Sequence, residues 1–380
     1  MRSSSSDDDD EDPKLPHDVA VEILKRLPVE CLLRFRCVCR SWRSAIDDPR
    51  LVALHWSHSA LDASNWYLVC LDWCDRLCSL FSSESLTLPY RSRIEMPFAT
   101  PSGCYDFVGS CNGLICVAEV SGYGYCKAMY LWNSFTRKHR AVPRSGLRHQ
   151  FSSMEAGHEY LGFGFDAGSN DYKIVRILYS EDDNRQCFGG PKPRVEIYSV
   201  STDSWRSSEC EVPVFCDNGP AVFLNGNLHW IAFKCDVAWD ERGYGSIVLF
   251  DVAGEVFDEM ALPEVHVDKG SLMVSVAVLH DSLAVFINLV DAILCPGRHS
   301  TCSIWVMGEY GVPETWTKLY TFEACGLVTK FDGFTRNGEL LMEIDAGERV
   351  SWNPITGQYA NLPLSIHCDL VNVVESLVSL

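Results

Sequence analysis

Asn112-Gly113-Leu114-Ile115-Cys116-Val117 is a turn followed by an apolar run. Asn and Gly take positive φ at the least cost, and a two-residue turn with such positions joins antiparallel strands. The arrangement returns four times: Asn170-Asp171-Tyr172-Lys173-Ile174-Val175, Asn225-Gly226-Asn227-Leu228-His229-Trp230, His280-Asp281-Ser282-Leu283-Ala284-Val285 and Asn337-Gly338-Glu339-Leu340-Leu341-Met342. The starts lie 58, 55, 55 and 57 residues apart. Between them sits a second element, a strand, a polar turn and a strand ending in an aromatic or an apolar-Pro pair. Examples are Leu131-Trp132-Asn133-Ser134-Phe135-Thr136-Arg137 before Val142-Pro143, and Val350-Ser351-Trp352-Asn353-Pro354 before Leu362-Pro363.

Two hairpins per period is the size of a four-stranded propeller blade with some loop insertion. Five turns mark five blades. Trp66 to Leu80 supplies strands ahead of the first turn, and a last strand over Val371 to Leu380 is placed to close the ring against them. The expectation is a β-propeller of six irregular blades over residues 64–380, with a pair of packed β-sheets as the competing architecture. Gly162-x-Gly164 reads as a blade turn. The apolar stretch Leu272 to Val290 reads as two strands, because His280-Asp281-Ser282 interrupts it where a membrane span tolerates no charge.

Charge divides the chain. Residues 1–14 carry two basic and six acidic side chains, as expected of a disordered tail. Residues 15–60 carry seven basic and five acidic, and the remainder 23 basic and 40 acidic. Phosphate binding needs clustered Lys and Arg, so the acidic propeller excludes nucleic acid as a ligand and leaves a basic protein as a fitting one. An acidic surface kept for solubility is the plain alternative. The N-terminus has no basic-then-apolar leader, so the cytoplasm or nucleus is expected, with no membrane partner. The 18 cysteines are then reduced thiols. His55-x-x-His58 with Cys70-x-x-x-Cys74 is the nearest approach to a metal cluster, but lacks the turn residues that seat paired ligands. No metal or cofactor is expected.

Residues 15–60 read as helices. Pro16 and Asp18 suit a first turn, and Val19, Ile23, Leu24 and Leu27 fall on one face up to Pro28. Leu32, Leu33 and Phe35 crowd a second segment. Val38, Trp42, Ala45 and Ile46 mark a third, with Pro49 as its stop. So small a unit cannot bury all this apolar surface alone. It either caps the main domain or offers a patch to a partner.

The residues from Leu15-Pro16-x-Asp18-Val19, through Ile23-Leu24-x-x-Leu27-Pro28-Val29 and Leu32-Leu33-Arg34-Phe35-x-Cys37-Val38-Cys39-Arg40-x-Trp42, to Ile46-x-x-Pro49 resemble the F-box of plant F-box proteins. Arg40 stands where Lys is frequent, which keeps the charge. Gly162-Phe163-Gly164-Phe165-Asp166, Asp171-Tyr172-Lys173-Ile174-Val175, Asp203-Ser204-Trp205 and Asn227-Leu228-His229-Trp230 resemble the plant F-box-associated interaction domain, often described as kelch-like. Pollen S-locus F-box proteins are similar, and nothing in the residues separates that role from a general one. The resemblance implies a substrate-recognition subunit of a Skp–cullin–F-box ubiquitin ligase. The F-box docks a Skp-type adaptor, which links to a cullin, and the β-domain holds a target protein. The resemblance assigns adaptor contact to Leu15, Pro16, Ile23, Leu24, Leu27, Pro28, Leu32 and Leu33, and internal packing to Trp42 and Ile46. The two modules are expected to present separate surfaces.

A propeller enzyme, or a ligand scaffold unrelated to ubiquitin, is the alternative. The chain has no Gly-x-Gly-x-x-Gly or Gly-x-x-x-x-Gly-Lys phosphate loop and no Gly-x-Ser-x-Gly elbow. Asp236, Asp240 and Glu241 read as a solvated loop, and His229 as a packed strand residue. The resemblance implies an adaptor without bond chemistry. The long connections Ser145–Glu159, Glu181–Pro193, Lys234–Gly245 and Pro296–Ser300 are candidates for target contact, with Phe188, Trp239 and Tyr244 as aromatic anchors.

Overall fold

The computed structural model describes residues 16–72, 77–87, 93–98, 105–120, 126–146, 156–180, 193–212, 219–233, 244–264, 271–290, 300–345, 347–364 and 368–380. Helices come first: α1 His17–Leu24, α2 Val29–Phe35, α3 Arg40–Ile46 and α4 Pro49–Leu61. None of the described helices is long and apolar enough to cross a membrane. Pro49 ends α3 as expected but also opens α4. It occupies the first turn, where its missing N–H costs nothing, and the Asp48 carboxylate caps the helix at the Arg50 N–H. The sequence reading missed α4.

The strands form six four-stranded antiparallel sheets. The first holds β1 Trp66–Asp72, β2 Leu77–Ser82 and β3 Arg93–Glu95. The second holds β4 Tyr105–Cys111, β5 Leu114–Val120, β6 Cys126–Trp132 and β7 His139–Val142. The third holds β8 Ala156–Asp166, β9 Asp171–Ser180, β10 Arg194–Ser199 and β11 Ser204–Ser208. The fourth holds β12 Val222–Leu224, β13 Asn227–Phe233, β14 Tyr244–Asp251 and β15 Val256–Ala261. The fifth holds β16 Ser271–Leu279, β17 Ser282–Val290, β18 Ser300–Met307 and β19 Trp316–Glu323. The sixth holds β20 Val328–Phe334, β21 Leu340–Ile344, β22 Glu348–Trp352 and β23 Tyr359–Asn361. The last strand, β24 Cys368–Val374, returns to the first sheet and pairs along β1 from Trp66↔Val374 to Asp72↔Cys368. The innermost strands touch in a closed cycle, β24, β4, β8, β12, β16, β20 and back to β24. This is a six-bladed propeller, and packed sheets are ruled out.

Each of the five recurring turns joins the innermost strand of a blade to the next. Asn112-Gly113, Asn225-Gly226 and His280-Asp281 have positive φ at both residues, the mirror-image turn whose twist matches antiparallel strands. The second recurring turn joins the third and fourth strands. Asn133 Oδ1 accepts the N–H of Phe135 and Thr136, and Asn353 Oδ1 those of Ile355 and Thr356. The aromatics beyond these turns lock blade to blade: Trp205 Nε1 donates to Pro143 O, Trp316 Nε1 to Ala261 O, and Tyr359 Oη to Glu323 O.

Gly162 and Gly164 lie within β8, which corrects their reading as a turn. A Cβ on Gly162 would stand 2.6 Å from Trp230 Cζ2, and one on Gly164 2.8 Å from Phe223 Cδ2. These glycines let the aromatics of the fourth blade press against the third. Trp230 is fully buried in the resulting core with Val175, Ile197, Val248 and Phe250.

His229 is a packed strand residue, as expected. It is buried, Nδ1 is bonded to Val222 O at 3.0 Å and Nε2 to Tyr310 Oη at 2.9 Å. Burial pushes its pKa down to about 4. An unfolded His titrates near 6.5, so stability is full above that pH and falls by about 1.4 kcal/mol per unit as pH drops towards 4. In urea unfolding, the advantage of wild type over His229→Gln should shrink by about 3 kcal/mol between pH 7 and 4. An unchanged advantage would contradict this assignment.

Candidate functional site

The helical module is held by Leu24, Val29, Leu32, Ile46 and Leu51, all buried. His55 on α4 is buried as well, with Nε2 bonded to Leu27 O at 3.0 Å. It fastens α4 to the α1–α2 junction. Cys74 lies outside the described residues, and no group of three His, Cys, Asp or Glu among the described residues is arranged for a metal ion.

The sixth member of this core is Leu377, from the segment after β24. Phe135, in the β6–β7 turn, packs against the same cluster and also against the core between the first two blades. Val29 opens α2 without a side-chain cap from Pro28. Its N–H is taken instead by Glu375 Oε1 at 2.7 Å, from 346 residues away. Burial raises the Glu375 pKa, and the Val29 N–H partly offsets this. Asn133 Nδ2 donates to Ser376 O and Val378 O, both at 2.9 Å. Gly113 lies so close to this segment that a Cβ there would collide with Ser376 Cβ. The modules therefore share a core.

The residues assigned to adaptor contact separate by burial. Leu24 and Leu32 are 3% and 0% exposed and hold the module together. Leu27 and Leu33 are half-buried, and Pro16 and Pro28 are exposed. Ile23 is 48% exposed, with Val19 one turn before it at 45%. Leu15 lies outside the described residues. Ile46 packs internally, but Trp42 does not. It is 40% exposed against Phe35, ring centroids 5.3 Å apart, with Val38 open nearby in sequence. Sequence periodicity identified these residues as apolar without showing which lacked a cover. Arg36 and Asp47 brace the α2–α3 turn with two bonds of 2.6 and 2.9 Å.

Strand direction alternates within each blade, so turns between first and second strands share a face with those between third and fourth. The helical module packs on that face, through Phe135 and the residues after β24. The connections singled out in the sequence (145–159, 181–193, 234–245 and 296–300) join strand ends on the opposite face. Tyr244 is the first residue of β14, paired with Phe233, rather than a loop residue. Phe188, Trp239, Asp236, Asp240 and Glu241 lie outside the described residues.

The inner strands begin at this opposite face, and a charged network sits there. Arg349 is fully buried and donates to Asp332, to Glu343 Oε2 at 3.1 Å and to Cys368 O at 2.6 Å. Lys330 pairs with Asp369. Desolvation, with help from Asp369, pushes Asp106 up to about 6. These residues were not singled out from the sequence, because they come from three blades. Breaking up the Arg349 pairs would be costly, yet such buried pairs add little net stability over an apolar core.

Residues 13–54 match the F-box domain family, and residues 104–346 the F-box associated beta propeller domain family. F-box protein At3g07870 of Arabidopsis thaliana is 28% identical, over 92% of this chain and 87% of its own length. The F-box/kelch-repeat protein At3g23880 of the same plant is 28% identical, covering 80% and 78%. F-box protein CPR1, also from Arabidopsis, is 26% identical, covering 83% and 75%. With an F-box seated on a six-bladed propeller and both family matches in that order, this chain belongs to the F-box proteins that carry an F-box-associated β-propeller domain.

Proposed function

We propose that the chain is the target-recognition subunit of a Skp–cullin–F-box ubiquitin ligase. The observation that carries the reading is the uncovered apolar surface of α1 to α3 in a module whose core is completed by Leu377 after β24. Val19, Ile23, Phe35, Val38 and Trp42 keep between 36% and 68% of their surface exposed. A cluster of this kind serves a partner better than it serves solubility. The adaptor docks through the exposed and half-buried members of the assigned set: Pro16, Ile23, Leu27, Pro28 and Leu33, with Leu15 beside them in sequence. Leu24 and Leu32 support that surface from beneath. A cullin is reached through the adaptor.

The target is held on the face opposite the F-box, where the long connections meet the blades, and Phe188, Trp239 and Tyr244 remain its proposed anchors. The acidic balance of the propeller suits a basic target. The role needs no bond chemistry from this chain. Ile23→Asp should reduce recovery of a purified Skp-type adaptor at least ~30-fold, since it removes an apolar anchor and desolvates a carboxylate, about 2 kcal/mol or more. The propeller's circular dichroism should stay unchanged. Equal recovery with wild type and Ile23→Asp would remove α1 from the docking surface.

A further inference from the structure

Arg34-Phe35-Arg36-Cys37-Val38-Cys39-Arg40-Ser41-Trp42-Arg43, from the end of α2 into α3, holds four arginines and no carboxylate. Arg34 is paired with Glu30 and Arg36 with Asp47. Arg40 and Arg43 are exposed, and no carboxylate among the described residues pairs with either. Beside them in sequence stand Val38 and Trp42, 68% and 40% exposed. Open positive charge next to uncovered apolar surface suits an acidic ligand. The chain itself holds one in Asp7-Asp8-Asp9-Asp10-Glu11-Asp12, an unbroken acidic run joined to α1 through Pro13, Lys14 and Leu15. A compact unit of the helical module's size is about 25 Å across. From Asp7 to Pro16 is about 30 Å of extended chain. The acidic run therefore reaches across the module while α1 stays intact.

We propose that residues 7–12 dock on Arg40 and Arg43 in the adaptor-free chain and cover Val38 and Trp42, and that Ser4, Ser5 and Ser6 are phosphorylation sites that tighten this contact. Each of these serines has an aspartate three residues on, at Asp7, Asp8 and Asp9. That is the charge pattern an acid-directed Ser/Thr kinase reads. Such a kinase transfers the γ-phosphoryl group of ATP. The serine Oγ–P bond forms, the P–O bond to ADP breaks, and the hydroxyl proton passes to the kinase's base. Each phosphate adds a charge of about −1.5 to −2 and oxygens that accept two guanidinium N–H groups at once. Solvent-exposed pairs are weak and screened by salt, so the unphosphorylated contact is reversible. An adaptor has to displace the docked run, which lowers its affinity, and phosphorylation lowers it further. This consequence rests on the docking surface proposed above, whereas the contact itself does not.

Phenylglyoxal, which reacts with accessible guanidinium groups, reads the contact without any adaptor. In the full chain at low salt, Arg40 and Arg43 should be labelled about 5-fold more slowly than in a variant with Asp7→Asn, Asp8→Asn, Asp9→Asn, Asp10→Asn, Glu11→Gln and Asp12→Asn. Salt at about 0.5 M should remove the difference. The neutralised variant should bind a purified Skp-type adaptor about 5-fold more tightly than wild type. Wild type treated with a purified acid-directed kinase and ATP should bind it about 10-fold more weakly, and a phosphatase should restore binding. Equal labelling at low salt would overturn the contact. Tighter adaptor binding with equal labelling would mean that the run repels the adaptor without touching the helices. Slower labelling with unchanged adaptor affinity would overturn the masking. Kinase treatment that leaves Ser4, Ser5 and Ser6 without phosphate would overturn the modification sites. Loss of adaptor binding by every form would strike the docking surface instead and leave the labelling result to decide the contact.

Discussion

Leu377→Asp should detach the F-box from its support and lower adaptor binding at least ~10-fold, although Leu377 is buried away from the docking surface. Leu377 is 6% exposed within a core of five helical residues. Truncating a buried Leu costs about 2–5 kcal/mol, and a buried carboxylate adds a desolvation cost. The helical module is small, and marginal stability is the rule for such units. Leu377→Asp replaces a buried member of this core with a carboxylate, and the module is expected to unfold. The propeller should persist, because β24 still pairs along β1. The check is adaptor binding together with two melting transitions, one for the helices and one for the sheets. Ile355→Asp, at a side chain 87% exposed in the β22–β23 turn, serves as the control and should change neither. Full adaptor binding by Leu377→Asp would show that the module stands alone.

The second large effect is expected at Gly162. Gly162→Val would drive its side chain into Trp230 and Leu228, whose atoms lie 2.6 and 2.8 Å from the Cβ position. Trp230 is 1% exposed and its Nε1 is bonded to Leu161 O, so the ring has nowhere to swing. Overpacking of this kind costs about 1–3 kcal/mol, and more where backbone must shift. The propeller Tm should fall by about 5 °C. Gly219→Ala, where nothing stands within 4 Å of the new Cβ, should leave it unchanged. Equal melting of Gly162→Val and wild type would mean that the two blades are less tightly packed than described.

The propeller was legible because its signals are local. A positive-φ turn such as Asn112-Gly113 or Asn225-Gly226 needs its residue type whatever surrounds it. Five of them spaced by one blade's length fix the count, and the unpaired segments at either side point to closure by β24. Gly162 and Gly164 were misread because their reason is non-local: a glycine needed for close packing has the same letters as one needed for a turn. Pro49 was ambiguous in the same way, since one proline can end one helix and begin the next. The helical module showed which residues are apolar, but not which are covered. Leu24 and Leu32 differ from Ile23 only in facing a core that Leu377 completes, from more than 300 residues along the chain. The charged network around Arg349 left no pattern in sequence because three blades contribute to it.

If the adaptor docks on the helices and leaves the opposite face free for a target, hydrogen exchange separates the two surfaces. With a purified Skp-type adaptor bound to the full chain, amides of residues 16–46 should gain protection, while strand ends bordering the long connections should exchange as in the free protein. Protection at those strand ends with none over residues 16–46, or no binding at all, would contradict that placement.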